Sequence, residues 1–201
     1  MQDFLSKETL RALTQSPYKF AHMTPVQAAV FDYLPRLSDP PGEFEHPRDL
    51  LVKAKTGTGK TAAFMIPAIE QRIKTLKAVA EQALTDSGLS RDKFQMSRVE
   101  HNYARENAGV LVISPTRELA TQIAKEASNL AYHQKEFGVQ LFIGGSSKHR
   151  QMREWMTKRR DVVVATPGRL RDLLTSERAV MEAFKKTSLV CIPSRIAIDP
   201  S

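Results

Sequence analysis

The sequence predicts a single α/β domain with a mostly parallel sheet flanked by helices. Five short aliphatic runs, each typical of a strand buried on both faces, alternate along the chain with longer segments of helical periodicity. Such alternation is typical of a doubly wound sheet. The length of 201 residues fits one hydrophobic core, and no apolar run approaches the length of a membrane-spanning helix.

The elements are predicted in order from these two patterns. Thr24-Pro25 suits the start of the second helix, because proline is tolerated in the first helical turn. Each aliphatic run then gives a strand, and the amphipathic segment after it gives a crossover helix. The predicted strands are 50–52, 110–113, 139–143, 162–164 and 189–192, and the predicted helices are 7–15, 25–34, 60–77, 117–131, 148–159 and 170–174.

Two segments interrupt the alternation. Residues 38–48 are rich in proline and acidic side chains, which predicts a surface loop leading into the first strand. Residues 75–109 begin with a helical pattern and then lose apolar periodicity, which predicts a partly flexible insertion between the first crossover helix and the second strand.

The charge and the cysteine count limit the partners and the compartment. The net charge is +8, and eight basic against two acidic side chains within residues 146–171 account for six of those positive charges. This stretch is interpreted either as a solvated helix face or as a phosphate-binding surface. A single cysteine, Cys191, excludes an intramolecular disulfide and favours a reducing compartment. Asp3 and Glu8 argue against a secretory signal at the start of the chain.

The most specific local pattern is a phosphate loop. It follows the predicted strand 50–52 and precedes a helix, the context that nucleotide phosphates require. Gly57 and Gly59 allow the backbone N–H groups to turn toward an anion, Lys60 would reach the β- and γ-phosphates, and the Thr61 hydroxyl would bind Mg²⁺. Ala54 stands where the strict pattern has glycine, and the alternative is a chance turn. The predicted loop comprises Ala54, Lys55, Thr56, Gly57, Thr58, Gly59, Lys60 and Thr61.

Three further loops follow predicted strands and carry groups that suit phosphates. In open parallel sheets, ligands bind at the carboxyl edge, where these loops would lie together. Hydroxyls, backbone N–H groups and two arginines could bind a run of phosphates there. The alternative, that proline and glycine merely end the strands, would explain the turns but not the arginines. The candidate residues are Thr116, Arg117, Gly144, Gly145, Thr166, Gly168 and Arg169.

Gln27 is the candidate for reading a base. Its amide can both donate and accept a hydrogen bond, which recognition of an adenine edge requires. Thr24 would begin the helix that presents it. The alternative is an ordinary glutamine on a helix surface.

These motifs, in the order TPVQ, AKTGTGKT, PTRELA, GG and TPGR, resemble the amino-terminal RecA-like lobe of DEAD-box RNA helicases. The resemblance covers roughly residues 7–192, and the sequences of its motifs are closest to those of fungal mitochondrial members. It implies an incomplete RecA-like phosphate-loop domain that binds ATP, Mg²⁺ and an RNA backbone without sequence preference. Lys60 and Thr61 would be the catalytic residues, and residues 193–201 would lie outside the family pattern. A monomer without a membrane segment, in the mitochondrial matrix, is expected, with the cytoplasm or nucleus as alternatives.

The family's Asp-Glu-Ala-Asp motif does not follow the last predicted strand, where Pro193-Ser194-Arg195 stands instead. The family's Ser-Ala-Thr motif and second lobe are also missing from this sequence. We therefore expect negligible ATP hydrolysis by this chain alone, and interpret it as a truncated product or a gene-model error. Two alternatives stay open: a non-catalytic short isoform that regulates the parent enzyme, and an unrelated phosphate-loop kinase or transport ATPase.

Overall fold

The computed structural model describes residues 5–33 and 50–193. Within them, helices and parallel strands alternate from β1 onward, as predicted. The helices are α1 (Lys7–Thr14), α2 (Pro25–Phe31), α3 (Lys60–Asp86), α4 (Lys93–Glu106), α5 (Arg117–Leu130), α6 (Lys148–Thr157), α7 (Pro167–Ser176) and α8 (Arg178–Phe184). The strands are β1 (Val110–Ile113), β2 (Val139–Phe142), β3 (Val162–Ala165) and β4 (Leu189–Cys191).

The four strands form one parallel sheet in the order β2-β3-β1-β4. One face is covered by a core that includes Ile66, Ile69 and Ile123 from α3 and α5. The other face is covered by residues of α6, α7 and α8, with the fully buried Trp155 packed 5.1 Å from the ring of Phe142. This two-sided burial explains the continuous aliphatic strands. Trp155 packs α6 against the sheet.

The predicted strand over residues 50–52 is wrong. These residues belong to no strand in the described part of the chain, and Leu51 is 91% exposed. A run of three aliphatic residues becomes a strand only when a neighbouring strand accepts its hydrogen bonds, and long-range pairing of that kind is invisible in a local pattern. The preceding predicted loop, residues 38–48, lies outside the described residues.

Residues 75–109 are far more helical than predicted. Helix α3 continues to Asp86 rather than ending at 77, and α4 occupies most of the remainder. The Asp92 side chain caps α4 by accepting hydrogen bonds from the N–H groups of Phe94 and Gln95, both at 2.9 Å. Helix α4 packs against α3 and buries the small residue Ala104, so its contact face has too little apolar periodicity to be recognised in the sequence. Whether this segment is an insertion stays a prediction.

The end of the domain also holds more helix than expected. Helix α7 extends over Pro167–Ser176 instead of 170–174, and α8 (Arg178–Phe184) was not predicted. Val180 and Ala183 of α8 are buried beside Trp155 in the second core. A helix this short carries only two core positions, which is too few for a periodic signal.

A buried ion-pair network joins the amino-terminal ends of the strands. Asp161, which precedes β3, accepts hydrogen bonds from Arg72 Nε at 3.0 Å, Arg159 Nε at 2.8 Å and the Gly138 N–H at 2.8 Å. Arg72 also donates to the Asn107 carbonyl oxygen at 2.9 Å. The side chains of Arg72 and Asp161 are completely or almost completely buried. The network therefore connects α3, β2 and β3 on the side opposite the candidate ligand-binding edge.

Across residues 5–33 and 50–193, no helix combines the length and apolar character needed to cross a membrane.

Candidate functional site

The phosphate loop precedes α3 and contains two glycines with positive φ, Gly57 at +77° and Gly59 at +82°. Such angles strain any residue with a side chain. Space adds a second requirement at Gly59, because a Cβ there would lie 2.6 Å from Gln27 Nε2. Gly59 therefore allows both the turn into α3 and the close approach of α2.

Lys60 is folded into the phosphate loop. Its Nζ donates hydrogen bonds to the carbonyl oxygens of Ala54, at 2.6 Å, and Lys55. Thr58 Oγ1 donates to the same Lys55 oxygen at 2.8 Å. The ammonium thus lies among loop oxygens that an incoming phosphate would replace as its partners. This geometry suits a charge-assisted contact with an anion.

Gln27 lies directly beside the phosphate loop. It forms a capping box at the start of α2, in which its Oε1 accepts from the Thr24 N–H at 3.0 Å. Its Nε2 donates to the Gly59 carbonyl oxygen at 3.4 Å, and the residue is only 7% exposed. One amide N–H and one oxygen lone pair of Gln27 have no partner among the described residues. The structure thus brings together Thr24, Gln27 and the loop, which are 30 or so residues apart in sequence.

Thr61 is the candidate metal ligand within the phosphate loop. It is the second residue of α3 and is partly exposed. A hydroxyl oxygen suits Mg²⁺, which usually binds through few protein groups together with water and substrate phosphates. The described residues contain no cluster of three or more His, Cys, Asp or Glu side chains that could hold a metal. A single hydroxyl at Thr61 therefore fits an Mg²⁺ ion that arrives with nucleotide phosphates.

The three predicted phosphate-contacting loops follow β1, β2 and β3, which are neighbours in the sheet, so their carboxyl ends meet at one edge. Thr116 caps α5 by accepting from the Leu119 N–H at 3.2 Å. The exposed Arg117 lies against the Gly144-Gly145 turn, and a Cβ at Gly145 would overlap its guanidinium. Gly145 also has a φ of +77°. The structure therefore brings Arg117 and the glycine pair into contact. This agrees with the prediction that loops following the strands lie together at the carboxyl edge of the sheet.

The third loop differs from this arrangement. Thr166 is buried and donates its N–H to the Phe142 carbonyl oxygen at 2.8 Å, whereas Gly168 faces open space. The Arg169 side chain is only 12% exposed. It donates to Gln151 Oε1 and to the Ser146 carbonyl oxygen, both at 3.0 Å. Arg169 therefore points into the protein, and sequence reasoning overlooked its partner Gln151, which no motif contains.

Most of the basic stretch 146–171 is engaged within the protein. Arg160 lies over the Trp155 ring at 4.2 Å, and burial, followed by repulsion from Arg105, lowers the pKa of Arg160 to about 10. Arg153 and Arg171 are exposed and form no ion pair with the described residues. Six of the eight cations have partners among the described residues, although the Arg150 and Lys158 side chains stay 74% and 58% exposed. The engaged side chains are Lys148, Arg150, Lys158, Arg159, Arg160 and Arg169.

Comparisons with known proteins identify the family of this chain. A family model described as DEAD/DEAH box helicase matches residues 24–192. DEAD-box ATP-dependent RNA helicase 26 of Arabidopsis thaliana is 43% identical over 125 residues, covering 62% of this chain and 12% of that protein. The mitochondrial ATP-dependent RNA helicase MSS116 of Phaeosphaeria nodorum is 32% identical over 193 residues, covering 96% of this chain and 28% of that protein.

Solved structures confirm the fold. The DEAD-box helicase Mss116 bound to ssRNA and UDP-BeF superposes with a TM-score of 0.62 at 23% identity, over 96% of this chain and 39% of the other. The chain spans only 12% to 28% of the length of these curated relatives. Because the family model covers most of the chain, the chain belongs to the DEAD/DEAH box helicase family.

Proposed function

We propose that this chain is the part of an ATP-dependent RNA helicase that binds ATP and one side of the RNA backbone. The observation that carries the proposal is that Gln27, Gly59 and Lys60 lie together. The Gln27 amide, proposed to recognise the base, contacts Gly59, and the next residue is Lys60, whose ammonium is proposed to bind the phosphates. RNA unwinding coupled to ATP hydrolysis is proposed for the whole protein, since the chain spans a minor part of its relatives. The related Mss116 structure, which is named as bound to ssRNA and UDP-BeF, supports both ligand classes.

Lys60→Ala should weaken ATP binding by about 10- to 100-fold, because a charge-assisted contact to the phosphates is lost. Isothermal titration of the 201-residue chain with ATP and Mg²⁺ measures this effect. Lys125→Ala, which removes an exposed lysine from α5, is the control and should bind ATP as the parent does. Equal affinity of Lys60→Ala and the parent would contradict the phosphate-loop assignment.

Gln27→Ala should reduce the preference for ATP over GTP, because the amide that reads the base edge is lost. Competition titrations with the two nucleotides measure the ratio of their dissociation constants. Loss of the bond from Gln27 Nε2 to Gly59 should in addition lower the affinity for each nucleotide, and the affinity for ATP should fall more than that for GTP. Gln82→Ala, at the exposed end of α3, is the matched control. An unchanged nucleotide preference would remove the base-reading role from Gln27.

Mg²⁺ and the compartment complete the proposal. Thr61 would bind an Mg²⁺ ion that the nucleotide phosphates carry, and the metal would neutralise charge on those phosphates.

A location in the mitochondrial matrix is supported by the 32% identity with a mitochondrial MSS116. Subcellular fractionation of cells that express the whole protein tests this location, and recovery in the nuclear or cytosolic fraction would contradict it.

A further inference from the structure

Gln151 and Arg169 connect two of the three loops at the carboxyl edge of the sheet. We propose that they are positioning residues, which hold the Gly144-Gly145 turn beside the start of α7 at Gly168 so that both can meet an RNA backbone. In this role Arg169 acts without touching a phosphate. The inference rests on the proposed RNA-binding function and assigns roles within that site.

The contacts form a continuous brace. Gln151 Nε2 donates to the Ile143 carbonyl oxygen at 2.9 Å, immediately before the glycine pair. Arg169 Nη1 donates to Gln151 Oε1 at 3.0 Å, and Arg169 Nη2 donates to the Ser146 carbonyl oxygen at 3.0 Å, immediately after the pair. The Gln151 amide on α6 and the Arg169 guanidinium on α7 therefore restrain both ends of the turn.

The same brace continues between the helices behind the loops. Arg169 Nε lies 3.7 Å from Asp172 Oδ2 on α7. The other oxygen of Asp172 accepts from Lys148 Nζ, at the start of α6, at 3.1 Å. Asp172 thus couples the first turns of α6 and α7, which begin directly after the two loops.

Orientation separates Arg169 from Arg117. The Arg169 side chain is largely buried, and each of its three nitrogens has a partner within the protein. The Arg117 side chain is exposed, and its guanidinium forms no hydrogen bond or ion pair with the described residues. Arg117 is therefore free to meet a phosphate, whereas Arg169 would have to give up its contacts with Gln151, Ser146 and Asp172 first.

Salt dependence distinguishes a positioning residue from a phosphate contact. Binding to single strands loses affinity with salt in proportion to the phosphates neutralised, with a slope of about 0.7 per contact in a plot of log K against log salt. A residue that only positions a loop changes the affinity at every salt concentration but leaves this slope unchanged. The probe is fluorescently labelled oligouridine, titrated with the 201-residue chain over a range of salt concentrations.

We expect Arg117→Gln to reduce the slope by about 0.7. Arg169→Gln and Gln151→Leu should each weaken binding by about tenfold, as when buried groups lose their partners, with the parental slope. Arg169→Lys should behave like Arg169→Gln, because lysine keeps the charge but cannot reproduce the planar fork. Lys135→Gln, which removes an exposed charge near the start of β2 at the opposite edge, should keep both affinity and slope.

Thermal unfolding of each variant confirms that the fold is retained, and Arg169→Lys carries the test if Gln151→Leu unfolds. A slope reduced equally by Arg169→Gln and Arg117→Gln, or rescue by Arg169→Lys, would show direct phosphate contact and overturn the inference. Parental affinity in both Gln151→Leu and Arg169→Lys would also overturn it while leaving RNA binding intact. Failure of the parent chain to bind oligouridine would instead overturn the proposed function, and the inference with it.

Discussion

The 201-residue chain is expected to hydrolyse ATP at a negligible rate, and a completed chimera is expected to recover RNA-stimulated turnover. In the chimera, residues 1–192 are joined to the acidic motif, the remainder of the first lobe and the second lobe of a close relative. The phosphate loop offers Lys60 and Thr61, but β4 is not followed by the Asp-Glu-Ala-Asp motif, which the family resemblance implies would hold the metal and the attacking water. The family resemblance implies that the second lobe supplies arginine fingers, which alone contribute about 10³- to 10⁵-fold to phosphoryl transfer. Phosphate release with and without RNA measures the recovery.

Two further proteins make this comparison decisive. Grafting only the acidic motif after Ile192 should not restore turnover, because the arginine fingers stay missing. The chimera with Lys60→Ala should be inactive, which ties its turnover to this phosphate loop. RNA-stimulated turnover by the unmodified chain, abolished by Lys60→Ala, would contradict the expectation. A chimera that folds and binds ATP but shows no turnover would favour a regulatory rather than a catalytic role.

Asp161→Ala should destabilise the fold by about 3 to 5 kcal/mol, because it leaves the buried charge of Arg72 without its partner. Domains of this kind have a total stability of about 5 to 15 kcal/mol, so this variant should lose a large part of it. Urea unfolding followed by circular dichroism measures the change. Asp86→Ala, at the exposed end of α3, is the control and should change the free energy of unfolding by less than about 0.5 kcal/mol.

A double variant tests the reason for that loss. Replacing both partners, as in Arg72→Met with Asp161→Leu, should cost less than Asp161→Ala alone, because no buried charge of that pair stays unpaired. Arg159 also donates to Asp161 but is nearer the surface, so water can solvate part of it. If Asp161→Ala unfolded at the same urea concentration as Asp86→Ala, the network would not stabilise the domain.

The correctly predicted strands are those that pair with an adjacent strand in the sheet. The runs beginning at Val110, Val139, Val162 and Leu189 all lie in the sheet, since each is aliphatic and pairs with a strand beside it. The run at residues 50–52 has the same composition and does not form a strand. Composition establishes that a segment can be buried in a sheet, whereas pairing depends on residues far away in the chain.

The candidate site likewise has features that the sequence predicts and features that only the structure shows. The motifs predicted that Thr116, Gly144 and Thr166 follow strands, and the parallel order β2-β3-β1 brings their loops to one edge. The contact of Gln27 with Gly59 was not predictable, because it joins two segments through a hydrogen bond between an amide and a backbone carbonyl group. The partners of Arg169 were equally invisible, since Gln151 lies on a helix outside every motif.

The sequence by itself therefore determined the fold class, the family and the residue types that a nucleotide and a phosphate backbone require. Periodicity and ordered motifs are local properties, so they can be recognised without coordinates. Only the tertiary structure decided that Arg117 is exposed at the site whereas Arg169 supports it. It also decided that Asp161 is the buried partner of two arginines. Burial and charge pairing depend on long-range packing, and the same side chain can serve either role according to what the fold places beside it.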